Sequence, residues 1–168
     1  MAKLIDMVKR LNKQRSHLGP GESFVAGCAL GPLGVMAGVR AGGIEGSPTA
    51  VTTGGAVRAA ESWAEAAAAE VGLDDPPVSD IGFDGGRPLI LGLTETRVLV
   101  FAGSHLGRPK DLLGAWPRED CELRVCRRDG EVAATPAFLG LPDGSWIIGD
   151  APNVEYLAAL TAAWDAGT

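Results

Sequence analysis

Residues 89–104 read LILGLTETRVLVFAGS. Two apolar runs, 88–93 and 97–102, flank Thr94-Glu95-Thr96. Each run is strand-length and rich in residues that suit a pleated surface, and the interruption is short enough only for a tight reversal. In the second run Arg97, Leu99 and Phe101 fall on one face, and Val98, Val100 and Ala102 on the other. The spacing predicts an antiparallel hairpin. Directly after it, HLGRPKDLLGAWP forms a basic loop in which Pro109 fixes the direction of the chain.

Downstream of the hairpin the pattern continues as sheet. Residues 121–127 read as a third strand. Asp129-Gly130 signals a hairpin into 131–139, and Pro142-Asp143-Gly144 turns the chain before a strand at 145–148. The chain closes with DAPNVEYLAALTAAWDAG, a helix with Val154, Leu157, Leu160 or Thr161, and Trp164 along one side. Pro152 suits its opening and Gly167 its end. A core between sheet and helix takes Leu99, Phe101, Leu123, Val125, Ile147, Leu157 and Trp164 on this reading.

Upstream, Leu4, Ile5, Val8 and Leu11 recur at helical spacing among lysines and arginines. This predicts a short basic amphipathic helix within residues 1–18, which Gly19-Pro20-Gly21 terminates. Such a helix either packs on the domain or meets an acidic partner or anionic membrane, with Lys3, Lys9, Arg10 and Lys13 as the contacts. Residues 23–39 are uncharged, but the run is short for a bilayer span and Pro32 interrupts it, so two strands turning at Gly31-Pro32 are expected. An alanine-rich helix over 56–71 follows, with Val57, Ala60, Ala64, Ala67 and Val71 in one stripe, Thr52 or Thr53 as its cap and Gly72 as its end. It lies in an insertion at about 44–80. The organisation is one domain, 19–168, behind the N-terminal helix.

Bulk properties exclude some classes. The chain has 168 residues, a net charge of −6 and three cysteines. Five of the fifteen basic residues and one of the twenty-one acidic ones lie in residues 1–15, so a basic arm sits on an acidic body. General nucleic-acid binding is not expected of an acidic chain. Cys28, Cys121 and Cys126 form no disulfide framework, and Cys121 and Cys126 face opposite sides of a regular strand. No secretory leader is legible, so a cytoplasmic location, or one peripheral at a membrane, is expected.

Little points to catalysis. His17 and His105 are the only histidines, the residue type suited to acid–base work near neutral pH, and HExxH, GxSxG and GxxxxGK[ST] are all absent. No metal site or cofactor is expected. Gly54-Gly55 before a helix supports one rival, an α/β nucleotide-binding protein or enzyme, although the G-x-G-x-x-G fingerprint is missing. The remaining feature is a basic grouping from Arg97 to Arg128. Arg108, Lys110, Arg124 and Arg128 are its candidate ligand-binding residues for an anionic headgroup.

GPGESFVAGCA, LGLTETRVLVFAG, GRPKDLLGAWPRE and the terminal helix together resemble bacterial pleckstrin-homology-like domains over most of residues 19–166. In that family a Gly-Glu pair precedes the first strand, and the central hairpin resembles LTDRRLLVF. Leu93, Thr94, Arg97, Leu99, Val100 and Phe101 match it, whereas Glu95-Thr96 depart from the usual Asp-Arg turn. The resemblance implies an α+β fold: a small, strongly bent antiparallel barrel capped by a C-terminal helix. It also implies a non-catalytic binding scaffold for a protein partner or an anionic membrane surface.

Overall fold

A computed structural model describes residues 2–32, 64–126 and 135–167, with side chains from Met7 onward. Its helices are α1 (Ala2–Leu11), α2 (64–70) and α3 (Val154–Ala166). Its strands are β1 (Phe24–Pro32), β2 (Leu89–Thr94), β3 (Arg97–Gly103), β4 (Pro109–Pro117), β5 (Glu122–Val125), β6 (Thr135–Gly140) and β7 (Trp146–Ala151). They form one seven-stranded sheet in the order β4-β3-β2-β1-β7-β6-β5, with every ladder antiparallel. The architecture is therefore α+β, as the sequence predicts.

The central hairpin is as expected, with Leu91 opposite Val100 and Gly92 opposite Leu99. Its turn is built by Thr94, whose buried hydroxyl accepts the backbone N–H groups of Thr96 at 3.2 Å and Arg97 at 2.9 Å. That local bond organises a reversal at Glu95-Thr96 without glycine. Val98 through Phe101 are all buried, so both faces of β3 are covered.

Several expectations fail, and the first is the basic loop after the hairpin, whose Pro109–Pro117 part is the strand β4. β1 does not turn at Gly31-Pro32. It runs through them, and they pair with Asp150 and Gly149 of β7. Pro32 is the last residue of the strand, where a missing N–H is tolerated. That pairing joins the β1–β4 meander to the β5–β7 meander. The barrel is not closed either: β4 and β5 are opposite edges of the sheet among the described residues. Register shifts at Phe101 bend the β3–β4 pair instead.

α1 belongs to the core. Met7 and Leu11 are buried, and the notch that admits Leu11 is made by two glycines. Gly27 and Gly92 are direct cross-strand partners, and a Cβ on either would press on Leu11. Because Leu99 pairs with Gly92, Leu99 and Phe101 face α1. They do not face the terminal helix, as the expected core had them. Leu157, Leu160, Leu139 and Ile147 join the same core from α3, β6 and β7. Phe138, one residue out of phase with Leu139, packs outward in a second cluster with Ala67, Ala68 and Cys126. α2 covers that outer face.

The ends of α3 are both satisfied. Asn153 Oδ1 accepts the N–H of Tyr156 at 3.0 Å, a cap worth about 1 kcal/mol. At the other end the buried Arg118 donates to the carbonyls of Ala163 and Trp164 and lies over the Trp164 ring at 5.7 Å. A cation at a helix C-terminus opposes the negative end of the dipole.

Among the described residues, no helix is long and apolar enough to cross a membrane. Residues 33–63 and 127–134 lie outside the described set. With them go the 56–63 part of the alanine-rich helix, its Thr52 or Thr53 cap, Gly54-Gly55, the Asp129-Gly130 turn and Arg128.

Candidate functional site

The β3–β4 loop is a compact turn. Ser104 N–H donates to the Arg108 carbonyl at 2.9 Å, and Gly107 N–H returns to Ser104 O at 2.9 Å. Gly107 has φ +74°, a conformation that glycine adopts without penalty. The turn thrusts Leu106 outward, 71% exposed, the most exposed large apolar side chain among the described residues. Arg108 and His105 are exposed beside it, and Lys110 is exposed at the start of β4.

α1 is held against this loop. Arg10 donates to the carbonyls of Leu106 and Gly107 at 3.4 and 3.5 Å, and Gln14, just past the helix, donates to Pro109 O at 3.2 Å. Each bond is long, but together they fix α1 and the loop side by side. On the helical wheel of α1 Lys9 points away from the buried Met7–Leu11 stripe, and Lys13 stands in the 3-10 turn that follows the helix. Both lysines are exposed. Two basic sets almost a hundred residues apart in sequence thus lie on adjoining segments. Asp111 is the one acidic residue of β4 in this neighbourhood.

The other candidates fall elsewhere. Arg124 lies on β5, at the opposite edge of the sheet from Lys110. Its guanidinium donates to Val71 O and to Glu122 at 2.7 Å each, and stacks over Trp146 at 5.4 Å. It ties α2 to the outer sheet face, and the fold does not bring it to Arg108 and Lys110. Arg97, in the same basic grouping, is bound to Glu22. Lys3 lies on α1, with its side chain outside the described set.

Reactive groups do not converge here. The Ser104 hydroxyl accepts from Arg108 N–H at 3.2 Å, while His105 is exposed on the turn. Burial pushes the Cys28 thiol up to about 12, and burial with the nearby Asp120 carboxylate pushes Cys121 up to about 11. Both are thiols at neutral pH, not nucleophilic thiolates. Cys126 is buried with Sγ 3.4 Å from Ala67 O. Among the described residues no group of three or more His, Cys, Asp and Glu is placed to hold a metal.

Sequence reasoning missed Leu106 and Gln14. The only signal for Leu106 was an apolar residue inside the tight HLGR turn. Comparison with protein-family models and with curated proteins finds no match to this chain.

Proposed function

We propose that this chain is a non-catalytic, pleckstrin-homology-like binding module that docks on an anionic membrane surface through α1 and the β3–β4 loop. One observation carries the reading: Arg10 reaches the Leu106 and Gly107 carbonyls, setting the basic helix beside a basic loop tipped with an exposed leucine. Peripheral attachment combines these two elements, cations for the headgroups and an apolar side chain for the acyl boundary.

The magnitudes suit reversible attachment. Lys9, Lys13, Arg108 and Lys110 each contribute about 1 kcal/mol near an anionic surface. Burying Leu106 adds about 1.5–3 kcal/mol. The sum corresponds to a dissociation constant between roughly millimolar and micromolar. The seven-stranded antiparallel sheet with a C-terminal helix supports the pleckstrin-homology-like assignment, as do the motifs in GPGESFVAGCA and LGLTETRVLVFAG. Attachment of this kind is peripheral and cytoplasmic.

Flotation with vesicles tests the reading. The full chain is expected to float with phosphatidylserine-containing vesicles and not with pure phosphatidylcholine. L106D is expected to lose binding while melting at the wild-type temperature. Equal flotation of wild type and L106D defeats the proposal.

A further inference from the structure

We infer, on the docking reading above, that pH regulates this attachment: protonation of His105, at the tip of the β3–β4 loop, tightens docking of the chain on an anionic lipid surface. His105 adjoins Leu106, the side chain that enters the acyl boundary, and consecutive Cα atoms are only about 3.8 Å apart. Docking through Leu106 therefore carries the neighbouring imidazole to the headgroups. His105 is exposed, and among the described residues it has no hydrogen-bond or ion-pair partner.

The turn is pinned on both sides of this pair. Ser104 N–H donates to the Arg108 carbonyl and Gly107 N–H to the Ser104 carbonyl, so the loop closes around His105 and Leu106. Arg10 on α1 holds the Leu106 and Gly107 carbonyls from outside, and Gln14 holds that of Pro109. The other histidine, His17, lies against the sheet instead. Arg97 donates to its carbonyl, and its ring centroid is 6.0 Å from that of Phe101.

The charges around His105 are mostly positive. Arg108 and Lys110 follow it on its own segment, and Asp111 is the nearest carboxylate in sequence. α1 brings Arg10 and Lys9, and the 3-10 turn after it brings Lys13. At the head of β2, Arg87 and Asp84 precede Pro88, whose carbonyl accepts the Gly103 N–H beside the loop. Histidine is the one side chain whose ordinary charge change falls between pH 5 and 8. Carboxylates ordinarily change below that window, and lysine and arginine above it. Acidification through the window therefore adds one cation to the loop tip. Among its basic neighbours that cation is unfavourable, whereas at an anionic surface it meets headgroups, so protonation favours the docked state. By linkage, docking in turn draws a proton onto the imidazole. One cation near such a surface corresponds to about fivefold tighter partition.

The test is sedimentation of the full chain with phosphatidylglycerol vesicles, whose phosphate keeps its charge across the window. Wild-type partition is expected to tighten about fivefold between about pH 7.5 and about pH 5.5. H105Q is expected to lose that response, and H17Q to keep it. H105R, a cation at both values, is expected to bind at the higher pH as tightly as wild type does at the lower. Wild type and H105Q should melt together at each pH, which separates a lost response from lost folding. An H105Q chain that still tightens on acidification overturns the proposal, as does a response lost in H17Q or wild-type binding that ignores pH. In each of those cases docking itself stands. Wild type that sediments at neither pH defeats docking, and this proposal with it.

Discussion

The Glu22 carboxylate receives both arms of the Arg97 guanidinium, Nη2 at 2.6 Å and Nε at 2.9 Å. It also accepts the Gly19 N–H and the hydroxyls of Thr94 and Thr96. Arg97 in turn donates to the His17 carbonyl at 2.8 Å. The glutamate before β1 and the arginine opening β3 thus pin the end of the N-terminal helical segment to the central hairpin. Two motifs that suggested a family resemblance meet in one charge-assisted clasp.

This clasp makes stability fall in acid. Hydrogen bonding from Arg97 holds the Glu22 carboxyl down at about 2, against an ordinary 4.5. A depressed carboxyl pKa contributes stability that is complete above the ordinary value and is lost as pH falls through the native one. Urea unfolding of E22Q at pH 7 should show a loss of about 1.5–3 kcal/mol. The gap from wild type should narrow from pH 4.5 down to 2. A gap independent of pH would mean that Glu22 acts by packing alone.

The Gly27–Gly92 notch predicts a steric coupling. A Cβ on Gly27 would collide with Leu11 Cδ1 and come within 2.9 Å of the Leu91 carbonyl. G27A should cost about 1–3 kcal/mol, as overpacking does. L11A alone should cost about 2–5 kcal/mol. The double variant should be more stable than the sum of the two losses implies, measured by a double-mutant cycle.

Arg118 predicts a localised loss at the C-terminal helix. R118M keeps the apolar stem but removes the donors to Ala163, Trp164 and Thr94 carbonyls. Leaving those acceptors unmet should cost about 1–3 kcal/mol. Hydrogen exchange should accelerate first in the last turn of α3, with the β2–β3 amides little changed.

Thr135 predicts the opposite sign. Its buried hydroxyl has no hydrogen-bond partner among the described residues, so T135V should raise stability by about 1 kcal/mol or more in thermal or urea unfolding. A loss of stability would show that the hydroxyl is satisfied in the folded chain.

Local chemistry carried the legible part of the fold. The β2–β3 hairpin was visible because its side chains alternate around a short polar turn, and α3 because its apolar positions recur at helical spacing. What stayed hidden depends on distant pairing. Nothing in Gly31-Pro32 announces partners at Gly149 and Asp150, so the residues read as a turn. The burial of α1 rests on Gly27 and Gly92, which become a notch only once β1 and β2 are in register. The candidate site divided for the same reason. Arg108, Lys110 and Arg124 are close in sequence, but β4 and β5 became opposite edges of the sheet. Arg10 met the β3–β4 loop instead, through carbonyls that carry no sequence signature.

The most direct measurement is sedimentation of the full chain with phosphatidylserine-containing vesicles, for wild type and a K13E/R108E/K110E variant, from low to high salt. Wild-type binding is expected to fall steeply as salt shortens the screening length to about 3 Å at 1 M, and the variant to partition at least tenfold more weakly at low salt. Salt-insensitive binding, or equal partition of variant and wild type, would contradict docking on an anionic surface.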